Sequence, residues 1–457
     1  MAVLLEPSYV TRIQGLYHHQ QPRRRSERKC GQDPVRFPET RPRQAGKKHL
    51  EETQPSHSRK TGHVIIDLVQ SPGSTTKAIR PAPALRVAAL QRPPAPRDQH
   101  NRRGLMPAPQ PLLELIRGSL VESTHLGSIA IVDSDGTLLH SYGDPHTVAF
   151  LRSSAKPFQA LPFVEAGGAD HYRYTPAEIA LSCASHETAQ MHLDAVQTLQ
   201  KKIGIEEHHL QCGPHLPGDA KKLREVIQND IRPTANFNNC SGKHTTMLAF
   251  AKMRGLPLEN YLDIQHPIQQ EILKTLAEMC GMDAATIELG IDGCSAPNFA
   301  MPLFHAALGM ARMCDPRGLS PARAQACQTI TAAMTTHSEM VSNWGEFDCE
   351  LMKVGAGKVV TKRGAEGFQI IGILPGVIAE RGVGIALKVT DGDKSSMNMQ
   401  LESSARVRPS VSLEILRQVG ALHKSQMEAL ANFGPEKILK NYAGLVTGRS
   451  QPAFKLA

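Results

Sequence analysis

The sequence predicts an α+β fold in which one antiparallel sheet collects both ends of the main body around a large helical insert. Three observations lead there. Two β-rich runs flank an Asp135-Gly136 turn early in the body, helix-period segments fill its middle, and three short glycine-bounded β-rich runs return late. Strands, then helices, then strands and a closing helix are the segregated order of an α+β domain, not the alternation of a parallel sheet.

Each element has a local reason. "LGSIAIVDSDGTLLHSYGD" (126 to 144) reads as a hairpin because Asp-Gly supplies the positive φ that a tight turn needs. "TPAEIALSCAS" opens with a capping box from Thr175 to Glu178 and Pro176 at the first helical position, and "ETAQMHLDAVQTLQKKIG" keeps helical period up to Gly204. Further helical runs begin near Gly242, His266 and Pro321. "GKVVTKRG", "EGFQIIGILPG" and "RGVGIALKVTDGD" are β-rich and bounded by glycine, which predicts three consecutive antiparallel strands. A single amphipathic helix is expected over roughly 411 to 432. No internal repeat is found.

Charge divides the chain. Residues 1 to 105 hold 20 Lys/Arg against 8 Asp/Glu, and residues 106 to 457 hold 32 against 35, so a basic leader precedes a nearly neutral body. The leader combines Pro and Arg with few apolar residues and is expected to be disordered, since it cannot bury enough surface to offset chain entropy. An alternative expectation puts the true start at Met106, where the composition changes. The leader carries no aromatic interleaving, so no nucleic-acid partner is expected. No apolar run approaches the roughly 18 residues of a transmembrane span, so no membrane partner is expected either. Nine cysteines without CxxC spacing argue against a disulfide framework and fit reduced thiols in a cytoplasmic protein.

Chemistry concentrates in a few stretches. Ser153 stands three residues before Lys156 in "RSSAKP", and a serine becomes a nucleophile only when a base such as an uncharged lysine takes its proton. Ser185 in "CASH" follows a capped helix and should sit in a turn. Lys362 in "VVTKRG" ends a β-rich run, with Lys358 a weaker candidate. S-x-x-K, a second serine and K-x-G on a strand follow the chain order of the serine β-lactamase fold. In "NNCSGKH" Cys240 and Lys243 lie one turn apart, and Cys294 follows a glycine in "IDGCSAPN". Two soft thiolates and a third donor suit zinc, although spacing alone favours small core residues, because a lysine must lose its proton to ligate. Arg152 and Asp292 flank these stretches and offer opposite charges to a zwitterion. His186, His244, His266 and His305 form no metal or catalytic pattern and read as core or surface residues. "VGAGK" lacks the P-loop spacing, which excludes nucleotide binding on that motif.

"RSSAKP", "ASH", "NNCSGKH", "DGCSAP" and "KRGAEG", in this order, resemble the Rhizobium etli-type L-asparaginases, the class 3 or asparaginase II family. The resemblance runs from about Val121 to the C-terminus and leaves out the leader. It implies a serine β-lactamase-like fold, hydrolysis of L-asparagine to L-aspartate and ammonia, a homodimer, and two catalytic Ser-Lys tandems, Ser153 with Lys156 and Ser185 with Lys362. It also implies one zinc per chain at Cys240, Lys243 and Cys294, which overrides the reading from spacing, and substrate contacts through Arg152 and Asp292. The sequence departs from the family in its leader and in "ETAQM" after His186, where the orientation of Glu187 is open. Two other classes compete: a serine amidohydrolase or β-lactam-interacting enzyme acting on another amide, although "CASH" lacks an S-x-N element, and a non-catalytic zinc or amino-acid binding protein, which would have no use for Ser153, Lys156 and Lys362 together.

Overall fold

The computed structural model describes residues 108–393 and 406–456. The expectations for residues 1 to 105 and for Met106 lie outside the described residues. The chain begins with β1 (Gln110–Arg117), turns at Gly118 into the long β2 (Leu120–Asp133), and turns again at Gly136 into β3 (Leu138–Tyr142). Strands β7 (Val359–Gly364), β8 (Phe368–Ile373) and β9 (Val383–Val389) follow late, and β10 (Lys437–Lys440) and β11 (Val446–Pro452) close the chain. All join one antiparallel sheet in the order β10-β11-β1-β2-β9-β8-β7, with β3 paired to β2. Both ends of the described chain therefore meet in its interior, β1 beside β11.

The sheet is buried on both faces. Along β2, Ala130 and Val132 enter one apolar core while Ile129 and Ile131 enter another; along β8, Phe368 and Ile370 part from Ile371 and Ile373 in the same way. The two-residue period of a strand thus feeds two cores, and such strands read as continuous apolar runs. Helix Leu303–Cys314 lies against β9, β2 and β8 on the first face. It comes so close that a Cβ on Gly384 would lie 1.9 Å from Ala307 O. Helix Arg408–Gln418 lines the second face.

Three expectations about elements need correction. The chain closes on strands β10 and β11 and not on a helix. The helix expected over 411 to 432 is two helices, Arg408–Gln418 and Lys424–Ala429. They part at Gly420, whose φ of +72° an ordinary helix cannot hold; the apolar period continues through the break and hides it. The middle of the body is not helical throughout either. It contains a second antiparallel sheet of β4 (Val148–Phe150), β6 (Pro297–Pro302) and β5 (Glu288–Ile291); β4 and β5 are too short to show alternation, and β6, buried almost throughout, has none.

The remaining expectations lie close to their elements. The capping box forms, with Glu178 N–H donating to Thr175 Oγ1 and Thr175 N–H to Glu178 Oε2, and opens helix Pro176–Ser182. Helices Gln190–Ile203, Ser241–Met253, Pro267–Cys280 and Pro321–Thr336 occupy the other predicted runs. Among the described residues, no helix is long and apolar enough to cross a membrane.

Candidate active site

The end of helix Pro176–Ser182, the start of helix Lys156–Glu165, the start of helix Ser241–Met253 and the edge strand β7 converge on Ser185. Its Oγ lies 2.9 Å from Lys156 Nζ and 2.9 Å from Lys362 Nζ, all three residues being buried. Lys156 Nζ also donates to Ala184 O at 2.5 Å and Asn239 O at 3.5 Å, and Lys362 Nζ to Arg363 O at 3.1 Å. Burial drives the amine of Lys362 well below its ordinary basicity; Asp348 opposes the shift, and the cations of Lys156 and Arg363 reinforce it. Lys358 is exposed and plays no part.

Lys156 thus meets Ser185 rather than Ser153, which differs from the expected pairing. Ser153 lies on a 3₁₀ turn, Arg152–Ala155, and is partly exposed, whereas Lys156 is buried and reaches the carbonyls that a buried amine needs. Arg152, with a φ of +52°, presents this turn, its N–H bound to Asn298 Oδ1 at 3.1 Å. Its Nε pairs with Asp292 Oδ1 at 2.7 Å, so the two residues expected at the substrate touch each other.

The sulfur residues gather behind them. Cys240 caps the helix that carries Lys243, whose Nζ is 3.0 Å from Cys294 Sγ, and Asp292 Oδ2 lies 3.9 Å from the same sulfur. Cys240 Sγ donates to Asn239 Oδ1 at 3.1 Å. The proximity of the two sulfurs, with Lys243 beside them, holds Cys294 far below the usual thiol range and pushes Cys240 up. Burial disfavours the charge of Lys243, but the adjoining sulfurs outweigh it and raise its basicity. Among the described residues, no three His, Cys, Asp or Glu side chains cluster as a metal site, and the third donor here is a lysine.

The histidines behave as expected of core residues. His186 Nε2 is 2.9 Å from Ser241 Oγ while its Nδ1 accepts from Thr188 N–H, and burial holds it well below its ordinary basicity. His244 meets Tyr261 Oη at 2.7 Å, His266 caps helix Pro267–Cys280, and His305 binds Cys280 O.

Sequence reasoning missed Arg363, which meets the Glu187 carboxylate, Glu346 Oε2 at 2.8 Å and Ser185 O at 3.3 Å. It also missed buried Asp348, which accepts from Arg363 N–H at 2.7 Å and from Gln369 Nε2 at 2.8 Å. Adjacency to Lys362 was the available signal for Arg363. Nothing in the spacing marks Asp348.

A hydroxyl flanked by amines, one of them easily uncharged, carries the chemistry of acyl transfer. Residues 113–452 match the profile of the L-asparaginase II family, and the chain belongs to that family of amidohydrolases. No curated protein matches. Similar solved structures include a probable glutaminase from Bacillus subtilis complexed with 6-diazo-5-oxo-L-norleucine, at 14% identity and a TM-score of 0.28, covering 60% of this chain and 80% of that one. Another is a Bacillus glutaminase in 4.3 M NaCl, at 13% identity and a TM-score of 0.28, covering 59% of this chain and 84% of that one. Likenesses this loose carry no weight for fold or substrate.

Proposed function

We propose that the protein hydrolyses L-asparagine to L-aspartate and ammonia through an acyl-enzyme. The observation that carries this reading is the Ser185 hydroxyl between two buried lysine amines in a chain of the L-asparaginase II family. Uncharged Lys362 takes the proton of Ser185 Oγ as the oxygen attacks the side-chain amide carbon, and the proton then passes to the departing nitrogen, which leaves as ammonia. A water delivers its proton to Lys362 and its oxygen to the ester, returning Ser185 and releasing aspartate. Asp292 takes the substrate ammonium and Arg152 its carboxylate, so their mutual ion pair opens to admit the zwitterion.

A second reading exchanges the serines. The amide hydrogens of Ser185, His186 and Glu187 are already committed to the carbonyls of Val341, Asn239 and Ser342, so none of them serves an oxyanion without first breaking that bond. Ser153 is the more exposed hydroxyl, and in this reading it attacks while Ser185 relays its proton to the amines.

The donors Cys240, Lys243 and Cys294 fit a soft divalent ion: two buried sulfurs lie together, one of them held far below the usual thiol range, and an amine stands 3.0 Å from it. They would hold zinc, which supplies a fixed positive charge next to the site when bound.

The test is ammonia release from L-asparagine and L-glutamine by the purified chain, beside Ser185→Ala and Ser153→Ala. We expect release from asparagine and a loss of about 10³-fold or more in the variant lacking the attacking serine. Mass-spectrometric location of a covalent adduct with an electrophilic asparagine analogue distinguishes the two serines. No release from either amide by folded, zinc-loaded protein would overturn the proposal.

A further inference from the structure

We propose that Arg363 is a positioning residue: clamped by Glu187 and Glu346, it locks the backbone of Ser185 to the strand that carries Lys362. This rests on the reading of Ser185 and Lys362 given above. Consecutive residues of β7 grip the same serine at two oxygens, Lys362 Nζ at Oγ (2.9 Å) and Arg363 Nη2 at the carbonyl (3.3 Å). A strand sends neighbouring side chains to opposite faces, so both reach Ser185 only because the loop after helix Pro176–Ser182 wraps the sheet edge formed by β7.

That loop needs an external hold. Thr188, a β-branched residue, has a φ of +62°, a conformation that persists only where the surroundings enforce it. Glu187 supplies much of the enforcement. Its N–H binds Ser342 O, its carbonyl accepts from Asp219 N–H at 2.6 Å, and its carboxylate meets Arg363. The same carboxylate lies so close to Gly218 that a Cβ there would sit 1.5 Å from Glu187 Oε2. Asn343 Nδ2 in turn holds Asp219 Oδ2 at 3.1 Å, and Asp348 pins the Arg363 backbone from behind. Arg363 therefore ties β7 to the Ser185 loop and to the 342–346 turn, and Glu187 carries the tie on to the 213–219 loop. A planar fork can bind two carboxylates and a carbonyl at fixed angles, which a lysine cannot.

The experiment compares the wild type with Arg363→Lys, Glu187→Gln and Gly218→Ala. It measures kcat and KM for L-asparagine, and separately the rate at which a fluorophosphonate labels the active serine. Because misplacement by about 1 Å costs on the order of 100-fold, each variant should lose about 10- to 100-fold in kcat and in labelling rate, with KM changed less than about threefold. Gly218→Ala should match Glu187→Gln although it touches neither the hydroxyl nor an amine, and methylguanidinium should partly restore Arg363→Ala. Folded Arg363→Lys with unchanged labelling and kcat would overturn the clamp; so would a rise in KM alone, which would make Arg363 a substrate contact. Labelling needs no amide substrate. A wild type that labels but releases no ammonia would sink the asparaginase reading alone, and the variants' labelling rates would still decide the clamp.

Discussion

In the proposed mechanism the base is a single amine, Lys362, whose charge the interior disfavours. Lys362 must be uncharged to accept a proton, so activity should rise with pH through its depressed value, which lies well below the ordinary 10.5. Asp348 pulls the other way by favouring the charged form. Removing that carboxylate in Asp348→Asn should move the acid limb of the kcat/KM profile to lower pH, and a profile moved to higher pH or unchanged would refute the assignment of Lys362 as base. Linkage has the same sign. Between the folded value and 10.5 only the unfolded chain binds this proton, so the contribution of Lys362 to stability increases with pH across that window. At the sulfur cluster, Cys294→Ser should abolish stoichiometric zinc by elemental analysis and raise KM more than it lowers kcat. Retained metal would remove Cys294 from the ligand set.

At the scale of elements, the site depends on the close approach of two helices, made at a glycine and tied by Ser182 Oγ to Thr246 Oγ1 at 2.7 Å. Gly242, in the first turn of helix Ser241–Met253, faces the carbonyl of Leu181 so closely that a Cβ would lie 2.4 Å from its oxygen. Gly242→Ala should therefore push the Cys240 end of one helix away from the Ser185 end of the other. We expect it to cost about 1–3 kcal/mol in urea unfolding, as overpacking does, and to weaken activity and metal retention together. An equally stable variant would show that the helices yield freely. The helix starts were legible because Thr175, Pro176 and Pro267 are local signals. The break at Gly420 and strands β4 to β6 were not, since the apolar period runs on through the break, β4 and β5 are very short, and β6, buried almost throughout, shows no alternation.

For the whole molecule, the family match begins at residue 113 and β1 at Gln110, so a chain of residues 106–457 is expected to keep the full ammonia-releasing activity. Loss of more than about tenfold, with the fold intact by circular dichroism, would assign the leader a part in catalysis. The pairing of β1 with β11 makes the other end different. Removing residues 446–457 would strip β1 of one of its two neighbours and expose Leu113 and Leu115 of the second core, and a lower midpoint is expected on thermal unfolding.

By itself the sequence determined the early hairpin, the main helices, the three late strands and the residue types able to do chemistry, because period, capping and turn preferences act over a few residues. It named Ser153, Lys156, Ser185, Lys362, Cys240, Lys243 and Cys294 through short motifs. The family resemblance paired Ser153 with Lys156 and Ser185 with Lys362. The tertiary structure brings Lys362 to Ser185 and also turns Lys156 to it: Ser185 is 29 residues from Lys156 and 177 from Lys362, and nothing but the packing of helices on a sheet edge brings both amines within 2.9 Å. Arg363, Glu187 and Asp348 acquire their roles the same way, from approaches that long-range packing enforces and short-range spacing does not encode.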